Sequence, residues 1–174
     1  MNMTEALAAL TRGGFTPPPD SHDESPSDGA PLPRYQPSRD PAGAEELGRA
    51  LARALRDAAA DPDAAADTVL VWDDSDDLVL AHVVARELGA TVMRALEIEG
   101  LVLPLGEHGP PGAVVLLADA FRTRAALRAL HALAAREGGR VTAIAALIAT
   151  PQLDAAAGLP VHTLLPERRP GAPR

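Results

Sequence analysis

The chain has 174 residues and a hydrophobic content of 47%, which suits one domain plus a tail. Its formal net charge is −8 at pH 7, and it has no dense basic stripe, so nucleic-acid binding is disfavoured. It contains no cysteine and no lysine, so disulfides, cysteine-ligated metals and lysine-dependent chemistry are excluded within the chain. No secretory signal or membrane-spanning run is found, so we expect a cytoplasmic protein without a membrane partner.

Residues 1–41 predict a short helix followed by a proline-rich arm. Residues 4–11 can form the helix, with Thr4 as N-cap and two leucines on one side. Residues 15–41 contain eight prolines and many small polar residues, so we expect an extended or disordered segment. It is either a solvated tail or an arm that docks on a partner.

We expect residues 42–166 to form an α/β domain and residues 167–174 to form a tail. Residues 44–61 have the leucine spacing of an amphipathic helix. Further helices are expected at 78–89 and 123–139, and apolar strands at 68–72, 90–98, 113–119, 141–149 and 161–165. This alternation indicates a parallel-centred sheet with helices on both faces, whose ligands bind beyond the carboxyl ends of the strands.

Several strings within this domain resemble the type I phosphoribosyltransferases, and among them the orotate phosphoribosyltransferases. They are DTVLVW…LAHVVARELGATVMR, EIEGLVLPLGEHGPPGAVVLLAD and GGRVTAIAALIATPQLDAAAGLPVHTLLP, and they span most of the predicted domain in the order that the family has. The resemblance implies a phosphoribosyltransferase-like fold with a site for phosphoribosyl diphosphate (PRPP).

The family's PRPP motif is matched only in part. In the family, two acidic residues support the ribose hydroxyls, and the next turn binds the 5′-phosphate at a helix N-terminus. Here the acidic pair is Ala118 and Asp119, so one carboxylate is missing. Thr123 matches the first threonine, but Arg124 replaces a glycine that lets the backbone approach the phosphate. The resemblance implies a remnant substrate site that includes Asp119, Arg122, Thr123 and Arg124.

Three further family positions are altered. Arg94 matches a family arginine and completes the remnant substrate site, but Ala95 replaces the neighbouring lysine. The family's basic mobile loop, which would stabilise the leaving pyrophosphate, is replaced by ALEIEGLVLPLGEHGPP without any arginine or lysine. Ala149 and Thr150 stand where orotate enzymes have the Asp-Arg pair that holds the base.

The loop after the first strand is acidic where the family binds pyrophosphate. Four carboxylates facing a pyrophosphate would repel it, even at an effective dielectric constant near 20. We interpret Asp73, Asp74, Asp76 and Asp77 as a solvated, helix-capping loop. The alternative is a loop that binds Mg2+ or Ca2+. No cofactor is expected, except Mg2+ if the remnant site binds a phosphoribosyl ligand.

Three other side chains receive structural interpretations. His82 and His131 lie in predicted helices and are expected to be packed rather than catalytic. Trp72 ends the first strand and is expected in the core or at an interface. The sequence has no Ser-His-Asp, metal-histidine or P-loop spacing.

Four functional sites of the family are altered together while the scaffold strings persist: the PRPP motif, the pyrophosphate loop, the mobile loop with its Arg-Lys pair, and the base-recognition pair. The sequence therefore predicts no catalytic residue, and a non-catalytic phosphoribosyltransferase-like protein that acts in a homodimer or with a protein partner. The alternative is a divergent phosphoribosyltransferase, or a phosphoribose- or nucleotide-binding protein that retains part of the PRPP motif. The apolar run 101–105 is either an exposed contact surface or a buried strand or hairpin.

Overall fold

The computed structural model describes residues 35–59, 66–106, 111–156 and 158–166. The helix predicted at 4–11 and the tail at 167–174 lie outside them. The helices are α1 (Pro41–Ala58), α2 (Ser75–Leu88) and α3 (Arg124–Arg136). The strands are β1 (Thr68–Trp72), β2 (Thr91–Ile98), β3 (Leu101–Leu105), β4 (Ala113–Ala118), β5 (Arg140–Ile148) and β6 (Val161–Leu165).

The six strands form one sheet in the order β3-β2-β1-β4-β5-β6. All neighbouring pairs are parallel except β2 and β3, which are antiparallel. The predicted parallel-centred α/β architecture is confirmed. The strand order reverses between β1 and β4, so the loops that follow these two strands lie side by side at the carboxyl edge, where α/β sheets bind ligands.

Helices cover both faces of the sheet. Helix α3 packs on one face, where Leu70, Leu116 and Ile144 share a buried cluster with Leu127 and Leu130 of α3. Helices α1 and α2 pack against each other; α2 contacts β1, β2 and β4, while α1 contacts β5 and β6. Within the described residues, no helix has both the length and the apolar content needed to cross a membrane.

The contact between α1 and α2 depends on a glycine. Gly48 of α1 is buried, and a Cβ placed on it would lie 2.5 Å from Cγ1 and 2.7 Å from Cβ of Val83. Real Cβ atoms do not approach so closely, so the two helices can pack at this distance only because position 48 has no side chain.

We expect Gly48→Ala to lower the free energy of unfolding by up to about 2 kcal/mol. Overpacking a core usually costs about 1–3 kcal/mol, and alanine recovers about 1 kcal/mol of this in a helix interior. Urea unfolding followed by circular dichroism measures the change. In a Val83→Ala background, where the obstructing methyl groups are gone, Gly48→Ala should be neutral or stabilising. Stabilisation of the unmodified chain by Gly48→Ala would contradict the close approach.

The start of α2 differs from the prediction. The helix begins at Ser75 rather than at residue 78, because Asp74 has extended backbone angles and its side chain accepts a hydrogen bond from the N–H of Asp76 (3.0 Å). Asp76 and Asp77 lie in the first turn, where negative charge interacts favourably with the positive end of the helix dipole. Two of the four acidic residues assigned to the loop are therefore helical.

The start of α1 also differs from the prediction. The helix begins at Pro41, because the Asp40 side chain accepts a hydrogen bond from the N–H of Gly43 (3.0 Å) and proline is favoured at the first helical position. Residues 37–39, predicted as part of an extended or disordered arm, form a 3-10 turn. The N–H and the Oγ of Ser38 both donate to Oδ1 of Asp76, at 3.1 and 2.5 Å.

The run 101–105 forms the edge strand of a hairpin. The two-residue turn consists of Glu99 and Gly100, with φ angles of 52° and 79°, as a type I′ turn requires. The hairpin interpretation is confirmed, but the strand is not fully buried, since Leu101 and Leu105 remain 54% and 37% exposed.

The open edge of β3 has few free hydrogen-bonding groups. In a hairpin closed by a two-residue turn, the pair that flanks the turn is hydrogen-bonded and the next pair is not, so Val102 and Pro104 direct their backbone groups to the edge. Pro104 has no N–H to donate. The carbonyl of Val102 accepts a hydrogen bond from Nη2 of Arg136 (2.9 Å). Little remains on this edge to pair with another strand.

The histidine interpretations are wrong in one respect. His82 and His131 are exposed rather than packed, because they lie on the outer sides of α2 and α3. Trp72 is half-buried and packs against the main core cluster, as predicted. Its indole N–H is buried and has no hydrogen-bond partner among the described residues.

Candidate functional site

Two acidic segments meet at the carboxyl edge, at the point where the strand order reverses. Asp77 lies in the first turn of α2, and Asp119 directly follows β4. Oδ1 of Asp77 accepts a hydrogen bond from the backbone N–H of Asp119 (2.7 Å). The N-terminus of α2 is thereby joined to the loop that the sequence analysis identified as the remnant PRPP motif.

The Asp77 carboxyl group is buried and only 7% exposed. Burial raises the pKa of Asp77 to about 7, and the negative charge of Asp119 acts in the same direction. The hydrogen bond from the Asp119 N–H and the charge of Arg122 partly oppose the shift, while the charge of Asp74 adds to it. Asp77 therefore keeps its proton to a much higher pH than an ordinary aspartate does.

Both carboxylate oxygens of Asp119 accept hydrogen bonds within their own loop. Oδ1 accepts from the backbone N–H of Ala120, and Oδ2 accepts from Nη2 of Arg122, each at 2.6 Å. The ion pair is partly shielded from solvent, since the side chains of Arg122 and Asp119 are 31% and 13% exposed. The structure thus brings together Asp119 and Arg122, two residues predicted to bind substrate, but their side chains bind each other.

Phe121 attaches the middle of this loop to the core. Its side chain is 1% exposed and belongs to the buried cluster beneath α3. Its carbonyl oxygen accepts a hydrogen bond from the buried Thr150 hydroxyl (2.8 Å). The carbonyl of Asp119 accepts from the N–H of Ile148 (3.0 Å). The loop is held from below by packing and from the side by Ile148 at the end of β5 and by Thr150, two residues beyond it.

Thr123 and Arg124 begin helix α3. Thr123 is the N-cap, and its hydroxyl accepts a hydrogen bond from the N–H of Ala126 (3.1 Å). Arg124 is the first helical residue and its side chain is exposed. A helix N-terminus attracts anions, and here it has a cation beside it.

Arg94 has an acidic partner from the neighbouring strand. Its Nη1 lies 3.3 Å from Oδ1 of Asp73, which directly follows β1. The two side chains are 43% and 26% exposed, so this ion pair is partly solvated and weak. Arg94, which the resemblance assigned to the substrate site, thus forms an ion pair with the acidic loop.

The four acidic residues after β1 have different partners. Asp73 pairs with Arg94, Asp76 accepts from Ser38, and Asp77 binds the N–H of Asp119. Asp74 has the helix-capping role that the sequence predicted. Across the described ranges, no group of three or more histidine, aspartate or glutamate side chains is placed to hold a metal ion.

Sequence reasoning missed the contacts that hold the loop. The sequence analysis gave Phe121 no role, and it noted Thr150 only as a replacement in the base-recognition pair. Asp77 was assigned to the solvated acidic loop. A large aromatic residue in a turn that should contain glycine and small hydroxyls was the one available signal, since such a side chain needs a buried site.

Comparisons with known proteins agree with this architecture. No protein-family model and no curated protein matches the sequence. Among solved structures, the adenine phosphoribosyltransferase from Rhodothermus marinus is similar with a TM-score of 0.66 and 19% identity, covering 94% of this chain and 99% of that one. The enzyme from Leishmania tarentolae has a TM-score of 0.57 and 18% identity, covering 82% and 80%.

An orotate phosphoribosyltransferase is also among the similar structures. The enzyme from Mycobacterium tuberculosis, solved in complex with PRPP, has a TM-score of 0.53 and 22% identity and covers 74% of this chain and 76% of that one. Identities this low establish the architecture and not the chemistry. The order of the strands, the reversal between β1 and β4 and these neighbours together show that the chain has the type I phosphoribosyltransferase fold.

Proposed function

We propose that this chain is a non-catalytic phosphoribosyltransferase-like protein that acts through contacts with a second copy or with a protein partner. The main support for this proposal is the hydrogen bonding of Asp119, whose two carboxylate oxygens accept hydrogen bonds from the N–H of Ala120 and from Arg122. A ribose ligand would have to compete for these oxygens with a charge-assisted hydrogen bond, which contributes about 1.5–3 kcal/mol.

The rigidity of the loop supports the same proposal. Phosphate binding by a turn requires backbone N–H groups that converge on the anion and glycine where the chain comes close to it. Here Phe121 is anchored in the core, its carbonyl is bonded to Thr150, and Arg124 stands in the glycine position. Reshaping this loop around a phosphate would cost the core contacts of Phe121.

The charge around the carboxyl edge also supports a non-catalytic role. Transfer from PRPP releases pyrophosphate, whose developing charge needs cationic stabilisation. The segment after β1 instead supplies Asp73, Asp74 and Asp76, and the β2–β3 hairpin has Glu97 and Glu99. Arg94 is already paired with Asp73.

A second candidate function is phosphoribose or nucleotide binding without transfer. The observation in its favour is the N-terminus of α3, where Thr123 caps the helix and the cationic side chain of Arg124 is exposed. If Arg122 rotated away, Asp119 could accept ribose hydroxyls, and Mg2+ could accompany a diphosphate. This candidate requires a rearrangement, whereas the first requires none.

Calorimetric titration with PRPP and Mg2+, together with an orotate phosphoribosyltransferase assay, separates the two candidates. We expect no orotidine monophosphate above a no-enzyme control, and no saturable heat up to about 1 mM PRPP, the upper end of common KM values. Asp119→Asn, purified in the same way, controls for contaminating host enzyme. Turnover that Asp119→Asn abolishes would overturn the non-catalytic proposal, and PRPP binding without turnover would support the second candidate.

A further inference from the structure

Helix α3 presents a basic surface on an acidic chain. The helix has three arginines and no acidic residue, although the chain has a formal net charge of −8. Its buried side is apolar and packs on the sheet. We call the centre of its exposed side the α3 face, because these positions recur at helical spacing; it consists of Arg124, Arg128, His131, Ala132 and Ala135.

The two arginines of the α3 face have no partner among the described residues. Arg124 and Arg128 form neither an ion pair nor a hydrogen bond within the described ranges. Arg136, at the end of the same helix, is different: it pairs with Glu137 (3.1 Å) and donates to the carbonyl of Val102 (2.9 Å). The α3 face therefore has two cations one helical turn apart whose hydrogen-bond donors are available to an external anion.

The arginines on the other side of the sheet are mostly paired. Arg49 of α1 and Arg86 of α2 each lie 2.8 Å from the same carboxylate oxygen of Glu45, and both also contact Glu87. Arg53 is the exposed arginine of α1 that has no such pair within the described ranges. Helices α1 and α2 thus neutralise most of their own surface charge, whereas the α3 face does not.

The geometry of the α3 face fits carboxylates on another helix. Arg124 and Arg128 are four residues apart, which is about 6 Å along a helix axis. Acidic residues at the same separation on a second helix have the same spacing, and an arginine can bind a carboxylate through two parallel hydrogen bonds. The short side chains of Ala132 and Ala135 lie beside the arginines, so a second helix can approach closely.

Other classes of partner fit this face less well. Nucleic-acid binding depends on neutralising many phosphates, and two available arginines on a chain of charge −8 are few for that purpose. A helix that lies on a membrane needs large apolar side chains, whereas the exposed apolar residues of the α3 face are alanines. An acidic protein segment is attracted by this face and repelled by the acidic remainder of the chain, which favours one orientation of docking.

We propose that the α3 face docks an acidic helix of a different protein, whose carboxylates pair with Arg124 and Arg128. The inference deepens the proposed function by giving the chemistry of the partner, and it rests on that function. Exposed ion pairs contribute little individually, so we expect a weak, salt-sensitive contact, with a dissociation constant of roughly 0.1–1 mM for an isolated acidic helix.

The probe is a fluorescein-labelled, alanine-rich helical peptide with glutamate at every fourth position, and fluorescence anisotropy with the full chain measures its binding. Arg128→Glu should weaken binding at least about fivefold, since reversal removes an attraction and adds a repulsion of similar size. Arg53→Glu is the matched control, because it makes the same charge change at another exposed and unpaired helical arginine. Circular dichroism verifies that each variant is folded.

Three further probes make the test specific. A peptide with glutamine in place of glutamate should not bind, and a glutamate peptide interrupted by proline should bind more weakly because it cannot form the helix. A thymidine oligonucleotide tests the nucleic-acid alternative. Tighter binding of the oligonucleotide than of the peptide, with loss in Arg128→Glu, would overturn the protein partner in favour of a nucleic acid.

No saturable binding of the glutamate peptide up to about 1 mM, the weak end of the expected range, would overturn the proposal. Equal weakening by Arg128→Glu and Arg53→Glu would also do so, because the attraction would then come from charge in general and not from the α3 face. Equal binding of the proline-interrupted peptide would refute the helical form of the partner. PRPP turnover by a chain that binds the peptide as expected would refute the non-catalytic function alone, whereas absence of both turnover and peptide binding would refute this inference alone.

Discussion

Phe121→Ala is expected to lower the free energy of unfolding by about 3–5 kcal/mol, among the largest effects of any single core substitution. Phe121 is the largest fully buried side chain among the described residues, with 1% exposure, so truncation removes its transfer free energy and leaves a cavity beneath α3. The substitution also removes the packing that holds the remnant PRPP loop. Urea unfolding with and without the substitution measures the loss.

Two further variants make this test specific. Phe121→Leu retains most of the apolar volume and should recover a large part of the stability. Leu101→Ala, at a position that is 54% exposed, should cost much less, since little of that side chain leaves water on folding. If Phe121→Ala changed the unfolding free energy by less than about 1 kcal/mol, a typical value for ordinary sites, Phe121 could not be a core residue.

Asp77→Asn is expected to change how stability depends on pH. The pKa of Asp77 is raised from 3.8 to about 7 in the folded chain. Between these values the folded state binds a proton that the unfolded state has lost, so wild-type stability falls as pH rises through this window. A shift of this size corresponds to about 4 kcal/mol at most. Asparagine cannot ionise and can still accept the hydrogen bond from the Asp119 N–H, so the stability of the variant should change less with pH.

Chemical denaturation at a series of pH values from 4 to 9 measures this change; the range extends about two units above the pKa of the folded state. The stability of Asp77→Asn relative to wild type should rise with pH up to about pH 7 and then level off. Asp57→Asn, at an exposed position of α1, controls for the change in net charge. Parallel pH profiles of wild type and Asp77→Asn would show that the carboxyl group titrates as it does in the unfolded chain.

The strands and the location of the site could be predicted because their signals are local. Strands buried on both faces are continuous apolar runs, and the prediction for β1, residues 68–72, coincides with the structure. Helix ends were less accurate, since the α2 boundary depended on Asp74 acting as N-cap. The family strings also predicted that Asp119 and Thr123 lie at the carboxyl edge, between β4 and α3, as they do in the structure.

The contacts within the site could not be predicted, because they join residues that are distant in sequence. The hydrogen bond from Asp119 to Asp77 spans 42 positions, and that from Thr150 to Phe121 spans 29. Neither residue pair has a local pattern that identifies its partner. The same holds for the exposure of Leu101 and Leu105 in β3, which depends on which helices reach that strand rather than on the apolar run itself.

The strand order also constrains how the chain folds during synthesis. Strands β1, β2 and β3 are consecutive in sequence and adjacent in the sheet, so they can pair as soon as they have left the ribosome. Helix α1 precedes all of them, yet it packs on β5 and β6, which are synthesised after the other described strands. The apolar side of α1, including Leu51 and Leu55, therefore stays incompletely covered until these two strands have been synthesised. Such exposed surface in an unfinished chain favours chaperone binding and aggregation, and truncation before Val161 would make that state permanent.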